Sequence, residues 1–153
     1  EVAELLIEKG ASLKANYTRL CGDKAVVLAA VQQHGTALHF ASDELRGDKD
    51  VVLAAVEQKG YALKYASDEL RGDKDVVLAA PAWAPALKYA STELRDDKDV
   101  VLAAVQQKGR ALQYAYTRLC DDEAVVRAAV QQEGWALKYA STRLRDKMEM
   151  EKM

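Results

Sequence analysis

The chain has 153 residues, half of them apolar and 30% charged, with 22 Lys and Arg against 24 Asp and Glu for a formal charge of −2. That length suffices for one hydrophobic core, and the near balance of charge leaves no electrostatic footprint for nucleic acid or an anionic membrane. Apolar runs fall far short of the roughly 20 residues a membrane span needs, and only 8 Gly and 2 Pro argue against disorder or a turn-rich β fold.

Self-similarity dominates the rest. Gly10, Gly35 and Gly60 are 25 apart, as are Gly109 and Gly134. Leu13, Leu38, Leu63, Leu87, Leu112 and Leu137 form one column; Leu20, Leu45, Leu70, Leu94, Leu119 and Leu144 form another. The spacing slips to 24 once, between Leu63 and Leu87. This pattern predicts an all-α solenoid of about six two-helix repeats of 24–25 residues, forming one domain over residues 1–146.

The units, in order, are 1–22 (truncated), 23–47, 48–72, 73–96, 97–121 and 122–146, followed by a charged, Met-rich tail, 147–153. The first begins with Glu rather than Met, and no basic, apolar leader follows. The chain therefore reads as a soluble, processed or partial product whose compartment stays open. Cys21 closes the first unit in the same place that Cys120 closes the fifth. Four repeats at about 8–10 Å per helix layer put them beyond the roughly 7 Å reach of a disulfide. Each is read as a small residue in the place of Arg46, Arg71, Arg95 and Arg145.

Residues 48–72 serve as the type. Asp48 is expected to cap the first helix, with Asp50 adding negative charge in its first turn. Val51–Val56 is apolar all round, which requires neighbours on both sides. Gly60 is expected to end this helix in the left-handed conformation. A second, amphipathic helix is predicted from about Tyr61 to Arg71, with Leu63, Ala66 and Leu70 facing inward. Gly72 closes it, and Asp96, Asp121 and Asp146 take that place later, since Asp tolerates the left-handed region. Helices this short are unstable alone, so stacking must supply the stability.

The fourth unit, 73–96, is broken by Pro81-Ala82-Trp83-Ala84-Pro85. Pro81 should stop the first helix near Ala80, and Pro85 should stiffen the connection. Pro81, Trp83 and Pro85 are the candidate partner-binding residues, because a Trp in a rigid loop suits an interface anchor. The other reading is a repeat defect whose Trp folds back to fill the vacancy. In the last unit Arg127 stands where Leu28, Leu53, Leu78 and Leu102 stand earlier. A capping repeat explains that change, and an outward position that merely varies explains it equally. Trp135, in the place of Tyr61, reads as ordinary packing.

The unit Asp48-Lys49-Asp50-Val51-Val52-Leu53-Ala54-Ala55-Val56, followed by Gly60, Ala62-Leu63 and Tyr65-Ala66-Ser67, resembles the domain-of-unknown-function family numbered 4116 over residues 23–146. The resemblance implies helical tandem repeats and no particular activity. Residues 73–96 depart from it by losing the Gly and one position. The opening Glu1–Ala11 locally resembles an ankyrin helix instead, although ankyrin units run about 33 residues.

No constellation carries chemistry. His34 and His39 lack companions at metal-ligand spacing and occupy the places of Lys59 and Lys64. Ser42, Ser67, Ser91 and Ser141 have no base beside them and read as locally bonded helix residues. Tyr65, Tyr89, Tyr114 and Tyr139, with Phe40, form an aromatic column that reads as packing between repeats rather than a base-stacking platform. A basic column, His39, Lys64, Lys88, Gln113 and Lys138, is flanked by Asp43 and Asp68, which counts against a nucleic-acid groove. The expectation is a non-catalytic protein-interaction or scaffold module, such as a peripheral subunit of a larger assembly, with no catalytic residue, metal, cofactor, nucleic acid or transmembrane segment. The alternative is an accessory repeat segment of a larger enzyme or secreted effector.

Overall fold

The computed structural model describes residues 19–81 and 86–151. Within them the chain is an all-α, solenoid-like stack whose elements recur at the spacing of the leucine columns. Trp83, Pro85, most of the truncated first unit and the ankyrin-like opening lie outside the described residues.

Four of the described units begin with a long α-helix: Lys24–Gln33, Lys49–Gln58, Lys98–Gln107 and Glu123–Gln132. The Asp that opens each one caps it as expected. Asp48 Oδ1, for instance, accepts the N–H groups of Asp50 and Val51 at 3.0 and 3.2 Å. In the fourth unit the helix is cut to Lys74–Leu78. Ala79 caps it and Ala80 is still buried, so Pro81 ends the helix about where its missing N–H and fixed φ require.

The second helix of the type unit is not one helix. A 3₁₀ helix, Gly60–Tyr65, is followed by two extended residues, Ala66 and Ser67, and then a single α-helical turn, Asp68–Arg71. The same division recurs at Gly35–Phe40 with Asp43–Arg46, and at Ala86–Tyr89 with Thr92–Arg95. Two hydrogen bonds on the serine explain the break. Ser67 Oγ accepts the Leu70 N–H as an N-cap, and the Ser67 N–H donates to Arg46 O of the preceding unit at 2.9 Å. Equivalent bridges run from Ser42 to Cys21, Ser91 to Arg71, Tyr116 to Arg95 and Ser141 to Cys120. A continuous helix would bond that N–H within its own unit and lose the tie. Where Tyr116 replaces the serine, no side chain caps the next turn, and Leu119–Asp121 is 3₁₀ instead of α.

The glycines differ from expectation too. The long helices end on an extended residue, such as Lys59 with φ −156° and ψ 106°, and neither Gly35 nor Gly109 takes a positive φ. Their reason is closeness. A Cβ at Gly35 would lie 2.3 Å from Ala55 O of the next unit, and one at Gly109 would lie 2.3 Å from Ala129 O. At Gly134, in the last unit, a Cβ would meet nothing within 4 Å. Gly47, Gly72 and Asp96 all have φ near −100°, so aspartate follows glycine there without backbone strain.

Long helices pack against long helices and 3₁₀ helices against 3₁₀ helices. Between the two rows run the buried columns, including Val52, Val56, Leu63 and Leu70. At about 1.5–3 kcal/mol per fully buried Leu or Val, these columns outweigh the marginal intrinsic stability of ten-residue helices. Leu53 and its equivalents are half-buried against this core. The final helix, Thr142–Met150, takes in the first residues of the tail and buries Met148. Arg127 reaches forward to Glu151, which caps this helix, at 2.9 Å. Where the other units have a half-buried leucine, the last unit thus has an exposed arginine paired with Glu123 and Glu151.

Candidate binding surface

Charge is organised in ladders that join neighbouring units. Lys24 Nζ donates to Asp48 at 2.7 Å, Lys49 to Asp73 at 2.7 Å, and Lys98 to Asp122 at 2.6 Å. Lys74 lies 3.6 Å from Asp97. At the last junction the signs reverse, and Lys147 donates to Glu123 at 2.7 Å. The lysine hydrogen bonds hold the carboxyls of Asp48, Asp73 and Asp122 below the ordinary aspartate range. A second set appears only in the later units. Arg118 meets Asp96 at 2.8 Å, and Arg143 meets Asp121 at 3.0 Å. The earlier units have glycine and glutamate at those positions, as at Gly47 and Glu69. Both sets could have been found in the sequence as opposite charges that recur 22 to 24 positions apart.

The aspartates that flank the basic column are also spoken for: Asp43 pairs with Arg46 and Asp68 with Arg71 inside their own short helices. They do not neutralise the column. Among the described residues, Lys64, Lys88 and Lys138 have no carboxylate within 4.0 Å.

These lysines sit on the outer face of the 3₁₀ row. In a 3₁₀ helix positions i and i+3 eclipse, so Tyr61 and Lys64 project together, as do Trp135 and Lys138. The Lys64 ammonium lies 5.6 Å from the ring centroids of both Tyr61 and Tyr65. Lys88 is 5.4 Å from Tyr89, and Lys138 is 4.8 and 4.9 Å from Trp135 and Tyr139. Lys64 also donates to Tyr61 Oη at 3.4 Å, a bond that lowers the phenol's pKa and raises the amine's.

The aromatic column does pack between repeats, but it is also surface. His39 touches Tyr65 at 4.7 Å and Tyr61 touches Tyr89 at 5.2 Å, centroid to centroid. Phe40 is nevertheless 58% exposed and Trp135 49%. Trp135 is therefore surface rather than ordinary packing, touching Tyr139 of its own unit where Tyr61 leans on Tyr89 of the next. The result is a stripe of rings and ammonium groups along one face.

Other candidate features are less open. His34 and His39 are exposed, and no group of three or more metal-ligating side chains occurs among the described residues. Cys21 and Cys120 are free. The Cys120 thiol donates to Leu112 O at 3.6 Å, and burial pushes its pKa up. Among the described residues no helix is long and apolar enough to cross a membrane. A shallow depression of about 400 Å³ at the C-terminal end is lined by Arg127, Val130, Gln131, Met148 and Glu151, but its charged groups satisfy each other. Of the three sequence candidates only Pro81 is described, half-buried at the end of its shortened helix.

The family model with the description Domain of unknown function (DUF4116) matches four segments, residues 17–46, 48–80, 84–119 and 108–145. The chain belongs to this family. The DUF4116 matches cover most of the stack, and the gap between the second and third falls on residues 81–83, inside the proline segment. No curated protein and no solved structure matches the chain.

Proposed function

We propose that this DUF4116 chain is a non-catalytic protein-interaction or scaffold module, suited to a peripheral place in a larger assembly. The observation that carries the reading is the stripe. On the long-helix side Lys24, Lys49, Lys74 and Lys98 are consumed in rungs between repeats, whereas Lys64, Lys88 and Lys138 lie over aromatic rings and face outward. Rings and unpaired cations at a surface are the composition of interface centres, and a solenoid repeats them along one extended face.

The test is quantitative affinity capture with three baits: wild type, Lys64→Glu/Lys88→Glu/Lys138→Glu, and Trp83→Ala. A stoichiometric partner held by wild type and lost by the triple variant supports the stripe. Loss with Trp83→Ala places the proline segment in the same interface. Identical, substoichiometric profiles from all three baits would sink the reading.

A further inference from the structure

We infer that the stripe binds an extended, polyproline-type peptide carrying an acidic side chain at every third residue. This rests on the protein-interaction reading and narrows it to one chemistry. Stacked helical layers advance about 8–10 Å, and one turn of a polyproline II chain, three residues at about 3.1 Å each, advances about 9 Å. One peptide turn therefore matches one repeat. The outward row carries an exposed lysine in three units, Lys64, Lys88 and Lys138, with the polar His39 and Gln113 exposed at the same position in the other two. Beside these lysines lie the rings of Tyr61, Tyr65, Tyr89, Trp135 and Tyr139, the kind of surface on which proline-rich chains dock.

Single-stranded nucleic acid would also bring negative charge and planar groups, but the ring geometry disfavours it. Bases stack on open, parallel ring faces. Here neighbouring rings meet at 49° to 78°, and lysine ammoniums lie 4.8–5.6 Å from the ring centroids. The same arrangement suits carboxylates, because each ammonium is held at the surface by its ring and keeps its outer side free.

The experiment titrates the full chain against three fluorescent probes at low and moderate salt. These are a 15-residue peptide of five Glu-Pro-Pro triplets, a peptide of the same composition with its five glutamates contiguous, and a 12-nucleotide oligothymidine. The triplet peptide is expected to bind at least about tenfold more tightly than the other two. Salt should weaken it, and Lys64→Glu/Lys88→Glu/Lys138→Glu should weaken it at least about tenfold. An unchanged thermal midpoint for that variant shows that the loss is local. Equal affinity for the two peptides overturns the spacing, tighter oligothymidine binding overturns the peptide, and no binding overturns both. If the peptide fails while the triple variant still loses its captured partner, the interaction reading stands and this inference alone falls.

Discussion

Gly35, Gly109 and Gly134 share one column but not one environment. At the first two, the backbone of the next unit occupies the space of a Cβ, only 2.3 Å away; at the third that space is open. Gly35→Ala and Gly109→Ala should each cost at least about 1–3 kcal/mol, the range for overpacking a close contact. Gly134→Ala should stay within about 0.5 kcal/mol of wild type, as for an unconstrained surface position. Chemical denaturation of the three variants checks this, and equal losses at all three would restore the helix-ending role expected from sequence. The same scale holds the paired switch of Asp96 with Arg118. Arg118→Glu alone should destabilise by placing like charges together. Adding Asp96→Gly recreates the glycine and glutamate pairing of Gly47 with Glu69 and should recover most of the loss, as a double-mutant cycle would show.

At the level of the element, the serine decides whether the short turn is α-helical. Ser67→Ala should cost about 1 kcal/mol, the usual worth of an N-cap. Tyr116→Ser supplies a cap where the structure lacks one, and should convert the 3₁₀ turn at Leu119–Asp121 into an α-helical one. That variant should melt higher than wild type, with its backbone tie from residue 116 to Arg95 O intact. Leu63, Ala66 and Leu70 lie on one side whether or not the helix is continuous. The break was nevertheless marked by Ser67-Asp68-Glu69, a capping residue followed by two acids.

The whole molecule is held in register by its charged rungs as well as by its core. The carboxyls of Asp48, Asp73 and Asp122 are depressed chiefly by their lysine partners, and that of Glu123 chiefly by Lys147. A folded pKa below the unfolded value means that the stabilisation is complete above the unfolded value, about 4 for carboxylates. It is lost as pH falls through the folded value. Thermal midpoints should thus be level from neutral pH down to about 5 and fall below about 4. Added salt at neutral pH should blunt this contribution, because the rungs are partly exposed. A midpoint indifferent to acid and salt would show that the rungs only decorate the stack.

Much of this was legible in the chain itself. The two leucine columns marked the spacing of the described units, the leading aspartates marked the starts of the long helices, and Pro81 marked where the fourth helix stops. Those features are local: periodicity, caps and a missing N–H act within a few residues. The reason for Gly35, the split at Ser67, the charge rungs and the exposed stripe lay beyond that reach. Each depends on a residue 20 to 28 positions away, and one-dimensional periodicity does not tell which face the next unit covers. The aromatic column was visible in sequence as packing. Stacking decided that it is also surface, because the 3₁₀ geometry turns Tyr61 with Lys64, and Trp135 with Lys138, outward together.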